Sequence, residues 1–322
     1  MGNYLFRRFV IFIFLFILVT VLTYFLLRLP GDPYKELELQ QPNMKDEIDR
    51  MREWSGFKDN WFVGYSKWAK KIIFDGDWGK SLYDKQPVWG KIITKIPTTL
   101  KIQVSVLILG LLLGIPLGIF SARRHYSVAD YTITVFSYIG ISVPSFWFGL
   151  LLMLLFSVKL GWLPAGWSLR SDYDSLPMIM QILDQARNLV LPVLMGLLGT
   201  IASLSRYMRS SMLEVIRQDY VRTARSKGLS ETKVIYKHAL RNGLIPIVTV
   251  MTLVIPSLIS GSVVVERIFN INGMGQLLFN SVQSSDIPLA MGTLVMFSFL
   301  TLISLILGDV VYALVDPRIT YS

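Results

Sequence analysis

Residues 102–122 read IQVSVLILGLLLGIPLGIFSA, without one charged side chain. In a bilayer the backbone N–H and C=O groups must bond to each other, and roughly 20 apolar residues in helical form cross the hydrocarbon core. The pattern recurs. Charge-free runs also cover residues 9–27, 131–158, 189–205, 242–265 and 287–308, each rich in Leu, Ile, Val and Phe. Of the 322 residues, 52% are hydrophobic and only 17% charged, and the mean hydropathy is +0.50. That balance is wrong for a soluble globular chain. The expected fold class is all-α, a polytopic membrane protein with six transmembrane helices and a small extracytoplasmic cap after helix one.

The first run is expected to stay in the protein as helix one. Its apolar stretch is longer than a signal-peptide core, and Arg28-Leu29-Pro30 follows it instead of a small-residue cleavage site. Phe6 stands where a myristoylation signal would carry Ser or Thr. The absence of cysteine excludes disulfides, thiolate metal sites and cysteine nucleophiles.

Six spans put both termini on one side, and loop charge decides which side that is. Residues 206–241 hold nine Lys/Arg against Glu214, Asp219 and Glu231, a surplus of six within a chain whose net charge is +10. Arg7, Arg8, Arg123 and Arg124 fall on the same side, so the positive-inside rule makes it cytoplasmic. Across the membrane, residues 30–95 nearly balance twelve basic against eleven acidic groups. The expected organisation is therefore 1–29 for the N-terminus and helix one, 30–95 for the cap, and 96–322 for the transmembrane core with a cytoplasmic hairpin at 206–242. Within the cap, Met44, Ile48 and Met51 recur at helical spacing, as do Trp68, Ile72 and Ile73. Such a segment is too short for a sizeable core of its own. Trp54, Trp61, Trp68, Trp78 and Trp89 crowd there and are read as packing or interfacial anchors rather than sugar platforms.

Enzyme chemistry finds no foothold. The two histidines, His125 and His238, lie far apart in cytoplasmic loops, and no HExxH or Ser/His arrangement exists. A proton- or sodium-coupled transporter would place ionisable groups near mid-membrane, and the six runs contain none. Coupling energy must come from elsewhere. Pro116, Pro144, Pro192 and Pro256 sit within or beside spans, where each removes a helix hydrogen bond and invites a kink. Gln103 and the Ser/Thr residues of the spans either line a route or bond between helices.

The long inner loop carries the strongest pattern. From Ser211 to Lys227, Met212, Leu213, Ile216, Tyr220 and Ala224 share one helical face while Glu214, Arg217, Arg222 and Arg225 point away. Gly228-Leu229-Ser230 breaks this helix, with Gly228 suited to a left-handed position and Ser230 to capping a second helix from Glu231 to about Arg241. Such a basic amphipathic hairpin is either an interfacial anchor on membrane lipid or a dock for a cytosolic partner. Nucleic acid is not expected, since no groove-reading helix or stacking platform accompanies the charge.

The run Asp219-Tyr220-Val221-Arg222-Thr223-Ala224-Arg225-Ser226-Lys227-Gly228-Leu229-Ser230, followed by His238-Ala239-Leu240-Arg241-Asn242-Gly243-Leu244-Ile245-Pro246, resembles the EAA signature of ABC importer permeases. More narrowly it resembles the dipeptide/oligopeptide permease family, whose form is Arg-Thr-Ala-Arg-x-Lys-Gly; of the generic Glu-Ala-Ala, only Ala224 agrees. The likeness continues in Pro30-Gly31-Asp32-Pro33, Gly76-Asp77-Trp78-Gly79-Lys80-Ser81, Pro97-Thr98-Thr99-Leu100, Val143-Pro144-Ser145-Phe146-Trp147, Leu160-Gly161-Trp162-Leu163-Pro164, Val264-Val265-Glu266, Gly273-Met274-Gly275 and Asp316-Pro317-Arg318.

The resemblance implies a permease subunit in a prokaryotic cell membrane, beside a second homologous permease, two nucleotide-binding ATPase subunits and an extracytoplasmic solute-binding protein. It implies that Arg222, Thr223, Ala224, Arg225, Ser226, Lys227, Gly228, Leu229 and Ser230 contact the ATPase, and that the cap lies under the binding protein. No cofactor or metal is expected on this chain, with ATP and Mg²⁺ belonging to the partners. Peptide is the favoured substrate; oligosaccharide by the same mechanism, or a membrane-anchored interaction protein without transport, are the alternatives.

Overall fold

The computed structural model describes residues 2–40 and 42–315. Helix α1 (Gly2–Arg28) leads into the cap, built from α2 (Pro33–Gln40), α3 (Lys45–Trp54) and α4 (Trp61–Phe74). Next come α5 (Val88–Arg123), α6 (Val128–Ser142) and α7 (Ser145–Leu152), the last continuing as a π-helical stretch, Met153–Lys159. The long α8 (Met178–Ile216) is followed by α9 (Asp219–Ser226), then by α10 (Glu231–Lys233) and α11 (Leu240–Gly243), joined through a π-helical stretch, Val234–Ala239. Helices α12 (Ile245–Ser260), α13 (Val263–Ile268), α14 (Met274–Gln283) and α15 (Ile287–Val315) complete the chain. No sheet forms among the described residues; a single antiparallel bridge joins Lys80 and Pro87.

Helix α5 packs along α8 through a stripe of small residues. A Cβ added to Gly110 would stand 2.5 Å from the Thr200 side chain; at Gly114 it would meet Leu204 at 2.8 Å, and at Gly118 it would meet Met208 at 2.6 Å. One turn earlier the roles reverse, and Gly196 of α8 receives Val106. Each step of four residues on α5 matches a step of four on α8 in the same direction. The two helices are therefore parallel, with backbones close enough that dispersion replaces the hydrophobic drive absent in lipid.

This register decides the number of crossings. Among the described residues, five helical stretches are long and apolar enough to span a bilayer, and α6 with α7 forms a further pair bent by 99°. Because α5 and α8 run the same way, the chain between them must return across the membrane. The bent pair is that return. The span expected at 131–158 breaks where Pro144 invites a kink: Val143 turns extended and Pro144, lacking an N–H, precedes a new helix.

With 36 and 39 residues, α5 and α8 measure roughly 54 and 58 Å, well beyond a core about 30 Å thick. Helix α5 begins at Val88 rather than at the expected 96, because Lys91, Lys95 and Pro97 interrupt the apolar run without interrupting the helix. The run at 189–205, shortest in the sequence, is likewise the middle of the longest helix.

The cap does not fold alone. Tyr34, Leu37, Ile48, Met51, Phe57, Trp68 and Leu82 are buried together with Tyr24 of α1 and Ile287, Met291 and Val295 of α15. Arg28 closes the seam, donating to the Phe57 and Asp59 carbonyls at 3.1 and 3.0 Å. Three of the five tryptophans serve packing: Trp68 is buried, Trp54 Nε1 donates to Asp77 at 2.6 Å, and Trp78 lies against Trp89, whereas Trp89 itself and Trp61, edge-on to Phe25, stay exposed. Ile73, expected on the inner face of its helix, is exposed instead.

Gly118→Leu should cost on the order of 3 kcal/mol, because the α8 backbone cannot retreat from an inserted side chain. Thermal unfolding of the detergent-purified protein should show a clear fall in Tm, whereas Gly199→Ala, where a Cβ meets nothing within 4 Å, should leave it unchanged.

Candidate functional site: the membrane cavity and its inner hairpin

Between α5, α6, α8 and α12 lies a cavity of about 670 Å³. Gln103, Ser142, Ser145, Thr200, Ser203, Ser257 and Ser262 supply polar groups on an otherwise apolar wall, and among the described residues no ionisable side chain lines it. Gln103 and several span hydroxyls therefore face this cavity, while Ser137 and Ser205 bond to each other between helices at 3.0 Å. Three of the four span prolines gather at the same place. Pro144 and Pro192 line the cavity, and Pro256 sits inside the continuous α12 between Val254 and Ser257, which also line it.

Below the cavity the hairpin is fastened to the membrane helices. Val221 and Ala224 of α9 and Val234, Ile235 and Ala239 of the second arm are buried with Ile119 and Ala122 of α5 and Leu204, Met208 and Met212 of α8. Ser211 donates to the Gly243 carbonyl at 2.8 Å, and Asn242 donates to Tyr220 at 2.7 Å. Gly243 has no room for a side chain, since a Cβ there would stand 2.8 Å from the Met212 sulfur. Outside this core, Arg222, Thr223, Arg225, Ser226, Lys227, Gly228, Leu229 and Ser230 are exposed, and Ala224 alone of the nine points inward.

Three details differ from the sequence reading. The helix expected to run unbroken to Lys227 stops at Ile216, and Gln218 is extended before α9 restarts. That break shifts the helical phase, so Val221 is buried and Tyr220 exposed. Ser230 holds the capping backbone conformation but its hydroxyl makes no capping bond. Instead Arg225 clasps Glu231 across the turn, at 2.8 and 3.2 Å. Gly228 takes the expected left-handed conformation, φ +75°.

Four carboxylates sit buried just outside the charge-free runs, where counting charges misses them. Asp130 accepts from Arg209 at 2.6 and 2.8 Å and from Ser121, tying the α5–α6 turn to α8. One of the nine basic residues of the loop is thereby engaged. Asp184 receives the Arg170 N–H at 3.1 Å, and neighbouring Asn188 receives the Ser168 N–H at 2.8 Å, so the loop after α7 is held on α8. Asp286, ahead of α15, accepts from Ser81 at 2.5 Å and from the Leu82 and Leu289 N–H groups. Burial pushes the Asp286 carboxyl above its ordinary value, against the pull of these donors.

Glu266 explains three motifs at once. Thr99 Oγ1 donates to it at 2.8 Å and accepts from the Met274 N–H at 2.8 Å, while the Gln276 N–H donates to the second carboxylate oxygen at 2.8 Å. A Cβ on Gly273 or Gly261 would stand 2.5 Å from that carboxylate. Thr99, Glu266 and the glycines around Met274 are thus parts of one latch joining α5 to the outer segment α13–α14. The motif Asp316-Pro317-Arg318 lies outside the described residues.

Thr99→Val keeps the shape of the side chain but strands a carboxylate oxygen and a buried N–H. The expected cost is about 3 kcal/mol, read as a lower Tm and as faster hydrogen exchange confined to residues 262–284.

Known proteins match the chain over its whole length. Residues 114–321 fit the family model of the binding-protein-dependent transport system inner membrane component, and residues 1–103 fit its N-terminal counterpart. The chain is 40% identical to the oligopeptide transport system permease protein AppB of Bacillus subtilis over 100% of both chains. It is 35% identical to the di/tripeptide transport system permease protein DppB of Pseudomonas aeruginosa, again over 100% of both, and 38% identical to a putative peptide permease protein of Brucella ovis over 99% of each. The cavity without ionisable groups, the clamped hairpin and these matches agree: the chain belongs to the family of binding-protein-dependent transport system inner membrane components, the permeases of ATP-driven importers.

Proposed function

We propose that this permease imports peptides, with residues 206–242 and both termini on the cytoplasmic side, and that Arg222–Ser230 receive the thrust of a separate ATPase. The observation that carries the coupling assignment is the shape of the hairpin. Eight of the nine residues are exposed at its tip, while its inner face is buried against α5 and α8, the helices that wall the cavity. A push on the tip therefore reaches the cavity without crossing a flexible joint. ATP and Mg²⁺ are held by the partners, this chain carries no catalytic group or cofactor, and a second six-span permease completes the route. The solute-binding protein delivers its load on the cap side.

Peptide is favoured over oligosaccharide because relatives 40% and 35% identical carry peptide names, and because Trp68, Trp54 and Trp78 of the cap are turned into its packing. A plain membrane anchor would not need a hairpin built onto the walls of a cavity.

Two measurements test this reading. Purification of the tagged chain from its native membrane in mild detergent should recover P-loop ATPases and a second six-span permease; repeated recovery without any ATPase contradicts it. Gly228→Pro, which cannot adopt φ +75°, should abolish peptide uptake at unchanged membrane level, and normal uptake by that variant would remove the coupling role from the turn.

A further inference from the structure

One face of α5 carries Lys91, Lys95, Thr99, Ile102 and Val106 at spacings of three or four residues. Its inner part, Ile102 and Val106, lines the 670 Å³ cavity. Its outer part, Lys91 and Lys95, lines a second cavity of about 610 Å³, whose opposite wall is formed by Asn272, Asn280 and Ser284. Thr99 lies between the two, fastened to Glu266 and Met274. The two cavities therefore follow one another along α5, with the latch residues Thr99 and Glu266 buried between them.

Two lysines and two aspartates line the outer cavity, and among the described residues one of the four makes no hydrogen bond or ion pair. Asp84 is paired with Lys91 at 2.5 Å. Asp286 is supplied with donors by Ser81, Leu82 and Leu289. Lys95 is half-buried, lines the cavity, and has no hydrogen bond or ion pair among the described residues. Its three donors, with the side-chain amides of Asn272 and Asn280 opposite, form a set suited to a carboxylate. The volume fits a short peptide rather than an ion alone.

Resting on the peptide reading above, we infer that Lys95 receives the carboxylate of the incoming peptide in this outer cavity, holding it above the Thr99–Glu266 latch before the route to the central cavity opens. An acidic side chain of the binding protein would offer the same chemistry, and the test separates the two.

The assembled transporter in lipid nanodiscs is acetylated with an amine-reactive reagent in the presence of millimolar trialanine or trialanine amide, and modification of Lys95 is read by mass spectrometry. The free acid should lower Lys95 labelling about tenfold and the amide should not. Lys95→Gln should lose about tenfold in trialanine uptake, and Lys95→Arg should stay near wild type. Equal labelling with acid and amide overturns the inference. Protection by peptide-free binding protein gives the carboxylate to that protein and overturns the peptide assignment. A wild-type complex that carries no peptide refutes the substrate reading itself, whereas peptide uptake indifferent to Lys95→Gln refutes the role of Lys95 alone.

Discussion

Gly110, Gly114 and Gly118 bring the α5 backbone to within a methyl group's width of α8, and the rest of the molecule is arranged around that approach. In lipid there is no hydrophobic gain from joining two apolar helices, so close backbone contact must supply the attraction. The parallel direction it fixes forces the intervening chain to recross, and the recrossing segment breaks at Pro144 to line the cavity. Both helices overrun the membrane. Their outer ends reach the cap and the outer cavity, and their inner ends form the floor on which the hairpin sits.

Polar contacts then fasten the elements at the membrane rims, where water makes them affordable. Asp130 with Arg209 holds the turn on the hairpin side, Asp184 with Arg170 and Asp286 with Ser81 hold loops on the cap side, and Glu266 with Thr99 holds the α13–α14 segment. None of these bonds lies across the middle of the cavity. A route bounded by small, apolar and hydroxyl side chains, with its firm contacts at the two ends, can rearrange at one end while the other stays closed. That is the mechanical requirement of alternating access, and it needs no charged group within the route.

Much of this was legible in the sequence because bilayer crossing imposes a composition as well as a pattern. The charge-free runs locate the membrane segments, and the positive φ of Gly228 follows from a glycine placed after an amphipathic helix. Helix ends were less legible, since Lys91 and Lys95 belong to a helix that projects beyond the apolar run. The face of α9 was misread because a two-residue break at Arg217 and Gln218 resets the helical phase, and nothing in the hydrophobic pattern marks it. Buried carboxylates were missed for a different reason. Glu266 beside an apolar run reads like any solvated edge residue until Thr99 and the glycines that make room for it are brought alongside. The motif glycines were visible, but what they surround was not.

The central claim is that the glycine seam and the clamped hairpin move as one body when ATP drives the transporter. The chain has no cysteine, so two can be introduced without background, at exposed Leu112 on α5 and exposed Thr223 on α9. The distance between spin labels at these positions is measured by pulsed electron resonance in the assembled transporter, nucleotide-free and trapped with ATP. The account predicts the same distance distribution in both states, while labels on the two permeases move relative to each other. A change of a helical turn, about 5 Å, between Leu112 and Thr223 would show that the hairpin slides on the bundle, and would contradict it.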